Sequence, residues 1–195
     1  MAGGFVLVVG PSGAGKDTLI RIARDALAAD PRFVFPRRLV TRPPSANEDN
    51  IEISEAEFER GASQGSFALC WRAHGLGYAI SMEAAEAARE GRHVVLNVSR
   101  RAVTEARRCL PAICVVTITA SAEILAARLA ARARAEDGDL HTRLARDAPI
   151  EADLTIVNEG EPDAAAAQLV AFLEAIAGQA DRPPEHRPED QRNPC

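Results

Sequence analysis

The sequence predicts an α/β fold of the phosphate-loop type, a parallel sheet flanked by helices. Three observations predict it. Residues Phe5–Val9, FVLVV, are a continuous apolar run, as expected of a strand buried on both faces. Gly10-Pro11-Ser12-Gly13-Ala14-Gly15-Lys16 follows, and an amphipathic stretch then reads as a helix to about Ala29. Downstream, apolar runs alternate with helical periods, the pattern of a parallel sheet with crossover helices.

The spacing Gly10, four residues, Gly15, Lys16 serves phosphate binding. Glycines let the backbone curl into a nest of N–H groups, the helix N-terminus adds its dipole, and the lysine reaches the β- and γ-phosphates. Lys16 is the only lysine among 23 basic residues. It supplies a compact ammonium on a flexible stem, which a planar guanidinium does not mimic. The Ser or Thr that ends this pattern is replaced by Asp17, with Thr18 next. A carboxylate here is either a hard oxygen ligand for Mg²⁺ or a first-turn acid favoured by the helix dipole.

The remaining elements read in order. Asp30-Pro31 marks a break; Phe33–Thr41 reads as a strand or extended segment, and 42–47 as a loop. Ser54 with Glu57 forms a capping-box pattern, which predicts a short helix from Glu55 to about Ser63. Phe67–Arg72 reads as a strand and Ala73–Tyr78 as a loop. A helix is expected over Met82–Glu90, a buried strand over His93–Val98, a helix over about Arg101–Leu110 and a strand over Ile113–Thr119. A long Ala/Arg helix starts at Ser121 and runs to about Ala135, a short one spans about Leu140–Arg146, and Leu154–Val157 and Pro162–Ala177 close the fold. One domain over 1–177 follows. The proline-containing stretch 178–195 reads as a disordered tail.

Composition narrows the class. The chain has 195 residues, a formal net charge of −5 and 47% hydrophobic residues. That argues for a globular protein and against a general nucleic-acid or membrane-surface binder. No run approaches a membrane span, and no signal peptide is evident. Cys70, Cys109, Cys114 and Cys195 show neither zinc-type nor CxxC spacing. A reduced, cytoplasmic setting is therefore expected; oligomeric state stays open.

Several segments together resemble the guanylate kinase-like monophosphate kinases over about Phe5–Ala177: GPSGAGKDTL, Thr41-Arg42 with Glu48, Ser54–Phe58, Arg128-Leu129 with Arg132 and Arg143-Leu144, and Ile156-Val157-Asn158. The resemblance implies a core in 1–36, 81–120 and 149–177, a small acceptor-binding insert at about 37–80 and a helical lid at about 121–148. The guanine-reading positions differ. Ser45 stands where a second arginine is expected, no room remains for a tyrosine segment between Asn50 and Ser54, no Glu precedes Trp71, and Asn97 replaces a strand-end acid. A base edge read by hydrogen bonds does not tolerate such losses, so guanine is an unexpected substrate.

GPSGAGKDTL, RRLVTRPP, FALCWRAHGLGYAI and NVSR resemble more specifically the ribose 1,5-bisphosphate phosphokinases, a branch of the same kinases that acts in phosphonate breakdown. The resemblance implies ATP- and Mg²⁺-dependent phosphorylation of ribose 1,5-bisphosphate to 5-phosphoribosyl 1-diphosphate and ADP. It implies that Gly10 to Lys16, Asp17 and Thr18 hold the nucleotide, with Asn158 at the adenine and Asp17 at the metal. Lys16 and the lid residues Arg128, Arg132 and Arg143 would be the catalytic groups. The acceptor would meet Arg38, Arg42, Glu48, Arg72, His74 and Asn97, with Arg37 nearby; bidentate Arg–phosphate hydrogen bonds suit a base-free sugar bisphosphate. Ser99 and Asn97 would hold acceptor or metal-bound water, or be structural strand-end groups. Trp71 and Tyr78 read as packing. The alternatives are a monophosphate kinase of altered base preference and a non-catalytic module of the same fold.

Overall fold

The computed structural model describes residues 3–44, 49–73, 75–132 and 150–180. Its core is a five-stranded sheet in the order β2-β7-β1-β8-β9. The strands are β1 (Phe5–Val9), β2 (Phe33–Val34), β7 (His93–Asn97), β8 (Ile113–Thr119) and β9 (Leu154–Val157). All neighbours run parallel. β1 lies at the centre and shows why an unbroken apolar run is needed there. Phe5, Leu7 and Val9 point into one core, while Val6 and Val8 point into the other.

Helices fill both faces. α1 (Lys16–Ala26) and α6 (Pro162–Ala180) pack side by side on one, burying Leu19, Ala23, Leu169 and Leu173 against Val6 and Val8. On the other, α3 (Met82–Arg89) brings Ala84, Ala85, Ala87 and Ala88, and α4 (Val103–Cys109) brings Val103 and Ala106. α5 (Ala122–Arg132) follows β8 and buries Leu125 and Leu129. Among the described residues no helix is long and apolar enough to cross a membrane.

The second sheet has the order β4-β3-β6-β5, with β3 (Arg38–Val40), β4 (Asn50–Glu52), β5 (Phe67–Ala73) and β6 (Leu76–Ser81). β6 is antiparallel to both β3 and β5. α2 (Glu55–Ser63) lies against β5 and β6. It starts with the expected capping box: Ser54 Oγ accepts from the Glu57 N–H, and the Glu57 carboxylate accepts from the Ser54 N–H at 2.7 Å. Gly77 is needed beneath it, since a Cβ there would come 2.8 Å from the Phe58 ring.

Four readings are corrected. The strand or extended segment expected over Phe33–Thr41 is two strands, β2 in the core sheet and β3 in the second, separated at Pro36, which has no N–H to continue a ladder. The loop expected over Ala73–Tyr78 is mostly strand, because β5 and β6 form a tight hairpin around Gly75, whose φ is 77°. α1 ends at Ala26, three residues early. α6 runs to Ala180, so residues 178–180 are helical rather than tail; their sequence has no proline to stop the helix before Pro183. β4 had no counterpart in the sequence reading. The expected short lid helix and the rest of the tail lie outside the described residues.

Candidate active site

The C-terminal ends of β1, β7, β8 and β9 meet at one edge of the core sheet, where ligands bind in open α/β folds. The phosphate loop leaves β1 there. Gly10, at φ 145°, runs so close to β8 that a Cβ would lie 2.0 Å from the Ile118 carbonyl oxygen. Gly13 and Gly15 have φ of 84° and 89°, left-handed values that glycine adopts without penalty. Gly15 caps α1 and itself offers no side chain to the helix's first N–H groups, which suits an anion-binding helix start at the loop. Lys16 Nζ donates to the Gly10 carbonyl at 3.0 Å and the Pro11 carbonyl at 2.9 Å, so its ammonium lies over the loop it belongs to.

β9 supports this loop from below. Asn158 is buried, and its Nδ2 donates to the Ala14 carbonyl at 2.8 Å. Its own N–H donates to the Thr119 carbonyl at 2.7 Å, holding it at the β8–β9 junction. Arg128, on α5, donates to the Asn158 carbonyl at 2.9 Å and, more weakly, to the Gly13 carbonyl at 3.5 Å. Three residues distant in sequence thus meet on the loop: Gly13, Arg128 and Asn158.

On the side facing the second sheet, register places Asn97 opposite Val8, two residues before the loop begins. Its Nδ2 donates to Asp17 Oδ1 at 2.7 Å. Arg38 reaches the same carboxylate from β3, with Nη2 at 3.6 Å from Oδ1; its side chain is 13% exposed. The Arg38 guanidinium stands 5.7 Å from the centre of the Tyr78 ring, which stacks on Trp71 at 5.4 Å and 8°. Trp71 and Tyr78 are therefore packing, as expected, but packing that supports a site residue. Arg42 follows on the same chain turn. Thr41 is clamped to Gly77 by two hydrogen bonds of 2.8 and 3.0 Å, and Asn50 Nδ2 donates to the Arg42 carbonyl at 3.3 Å.

Other expected residues stand differently. Arg72 faces away from Trp71 by strand alternation, pairs with Glu55 and Glu59 of α2, and covers the Phe58 ring at 4.8 Å. Nothing draws it to the Asp17–Arg38 cluster. Arg37 pairs with Asp49 at 3.5 Å. Ser99 caps the 3₁₀ turn Arg100–Ala102, its Oγ accepting from the Arg101 N–H at 3.3 Å, the structural one of its two readings. Arg132 is the last residue of α5; its side chain, and all of Glu48, His74 and Arg143, lie outside the described residues.

Two residues escaped the sequence reading. Asn50 is buried and shapes the Arg42 turn; a polar residue after an acidic loop gives no sequence signal. Arg100, immediately after β7, is half-buried, and that burial lowers its guanidinium pKa. As one arginine of the NVSR strand end in an arginine-rich chain, it carries no sequence signal of its burial.

Among the described residues no three His, Cys, Asp or Glu side chains cluster to hold a metal. The donor set fits Mg²⁺ nonetheless, since that ion is commonly held by one or two carboxylates together with substrate phosphates rather than by a protein cage.

No family model matches the chain. It is 63% identical over 175 residues to the ribose 1,5-bisphosphate phosphokinase of Methylobacterium radiotolerans, covering 90% of this chain and 99% of that one. Proteins of the same description from Bradyrhizobium diazoefficiens and Rhodopseudomonas palustris are 52% and 50% identical, with 88% of each chain covered. Among solved structures, guanylate kinase from Anaplasma phagocytophilum superposes with a TM-score of 0.64 at 19% identity, over 90% of this chain and 87% of that one. The fold is therefore guanylate kinase-like.

Proposed function

The chain belongs to the ribose 1,5-bisphosphate phosphokinase family, and on that premise we propose that it transfers the γ-phosphoryl group of ATP to ribose 1,5-bisphosphate. A phosphate oxygen of the acceptor attacks the γ-phosphorus, the bond to the β-phosphate oxygen breaks, and 5-phosphoribosyl 1-diphosphate and ADP leave. An acceptor phosphate at this pH is already a nucleophile, so positioning and charge stabilisation suffice.

The observation that carries the reading is Arg38. A guanidinium held between the carboxylate that follows Lys16 and the Tyr78–Trp71 stack suits an anionic acceptor brought up to the phosphate loop. Lys16 and the N–H groups of Gly13–Lys16 would grip the nucleotide phosphates. Arg128, already on the loop through Gly13 and Asn158, would turn its guanidinium to the transferring group, with Arg132 and Arg143 closing from the lid. Arg42 would take an acceptor phosphate. Asp17 would hold Mg²⁺, which when bound neutralises charge on the phosphate chain. Asn158 is proposed as a floor to the loop near the adenine. The roles of Glu48, Arg72 and His74 in acceptor binding rest on the family resemblance alone, and Arg72's pairing with α2 weighs against its share.

The test is ADP release with ATP, Mg²⁺ and a panel of acceptors. Turnover with ribose 1,5-bisphosphate and not with nucleoside monophosphates is the expected result. Turnover of GMP with none of the sugar would overturn it.

A further inference from the structure

The geometry points to Asn97 as a positioning residue that acts through Asp17: it fixes one carboxylate oxygen so that the other faces the nucleotide-bound cation. This rests on the kinase reading above. In phosphate-loop enzymes generally, a hydroxyl follows the lysine and a strand-end carboxylate shares the metal with it. Here the chemistry is exchanged. The carboxylate follows the lysine, as Asp17, and an amide, Asn97, stands at the end of β7.

The exchange is complementary. A carboxylate at both places would set two like charges in contact, where Asn97 Nδ2 and Asp17 Oδ1 lie 2.7 Å apart, and force them to share a proton. An amide instead donates, and Asn97 has its Nδ2 on Asp17 Oδ1 at 2.7 Å. Arg38 adds its charge to the same Oδ1 at 3.6 Å. Oδ2 of Asp17 has no hydrogen-bond partner among the described residues, and the side chain is 36% exposed. Both contacts therefore hold one oxygen and leave the other open, beside the α1 start and Lys16. Asn97 itself is held by β7, whose parallel register with β1 places it opposite Val8. Its position is set by the same two strands that set the phosphate loop. An amide fixed in this way orients the carboxylate before the cation arrives, which removes part of the ordering cost of binding it.

The experiment is calorimetric titration of ATP into the full chain, once with Mg²⁺ and once with EDTA; the readout is the ratio of the two affinities. Asp17→Ala should reduce that ratio about tenfold, and Asn97→Ala by a similar factor, the worth of one hydrogen bond to a charged group. Affinity in EDTA should stay within about twofold for Asn97→Ala, because its role is directed at the metal ligand. The double variant should lose no more than Asp17→Ala alone. Asn97→Ser keeps a donor; it should retain an intermediate ratio and carries the comparison if Asn97→Ala does not fold. If the two losses multiply, or if Asn97→Ala keeps the wild-type ratio, Asn97 does not act through Asp17 and the inference falls. A wild-type chain that binds no ATP under either condition would instead remove the kinase reading itself.

Discussion

The side-chain amide of Asn158 donates to the carbonyl of Ala14 at 2.8 Å, joining residues 144 positions apart. The contact is what makes the phosphate loop part of the sheet rather than a turn hanging from it. Gly15 passes directly over the same amide: a Cβ there would lie 2.5 Å from Asn158 Nδ2. Glycine is thus required at 15 twice, by its φ of 89° and by what lies beneath it.

Gly15→Ala should therefore cost more than backbone strain alone. The left-handed conformation costs about 1–2 kcal/mol for a residue with a Cβ, and the contact with Asn158 adds to it. Combining it with Asn158→Gly should relieve the contact and leave the strain, so the two losses should fail to add by about 1 kcal/mol. Chemical denaturation of the four proteins measures this. Simple additivity would mean that Gly15 answers only to its φ.

Arg128→Ala should lower kcat by a factor on the order of 10³, the scale of losing an arginine that stabilises a transferring phosphoryl group. Because Arg128 also donates to the Gly13 and Asn158 carbonyls, KM for ATP should rise as well. Arg128→Lys should recover little, since one ammonium cannot serve two carbonyls and a phosphoryl oxygen with fixed geometry. Steady-state kinetics with a saturating acceptor separates these effects. An unchanged kcat would leave Arg128 as a structural tie.

Much of this site was legible because phosphate binding constrains the backbone, and backbone constraints leave glycines at fixed offsets. Gly10, Gly13, Gly15 and Lys16 are legible for that reason, as are β1 and β7, whose burial demands apolar runs. The second sheet was less legible. β3 and β4 are three residues long with one buried residue each, and β6, though mostly buried, carries Gly77 two residues after Gly75, a pattern that reads as a loop. Pairwise relations were not legible at all. Asp17 and Asn97 were each singled out, yet only the β1–β7 register brings them to 2.7 Å. Arg72 shows the converse: an arginine in a suggestive segment, turned by strand alternation toward Glu55 and Glu59.

Ser54→Ala should destabilise the protein by about 1 kcal/mol through loss of the α2 cap, and the loss should depend on pH. Hydrogen bonds from the Ser54 hydroxyl and N–H hold the Glu57 carboxyl below its ordinary pKa. A group depressed in the folded state contributes stability above its unfolded pKa and loses it as pH falls through the folded value. The difference between wild type and Ser54→Ala should therefore be full at neutral pH and narrow in acid. Thermal unfolding across an acid series checks it; a difference that widens in acid would contradict the capping box.

Arg38→Met keeps the stem over Tyr78 and removes the charge, which makes it the sharpest probe of the acceptor side. Among the described residues the guanidinium meets the Asp17 carboxylate at 3.6 Å and the Tyr78 ring at 5.7 Å. With the side chain 13% exposed, a phosphate approaching from the second sheet would meet it partly desolvated, where a charged hydrogen bond counts for more. KM for ribose 1,5-bisphosphate should rise about ten- to a hundredfold, the span of about 1.5–3 kcal/mol for such a bond. KM for ATP should rise less, through the lost contact with Asp17 alone, because Lys16 and the loop N–H groups do not depend on β3. Arg72→Met should differ: it unties α2 from the hairpin and should lower the melting temperature while leaving acceptor KM near wild type. If Arg72→Met raised acceptor KM and Arg38→Met did not, the acceptor would lie on the α2 face of the sheet, and Arg38 would serve only to hold Asp17.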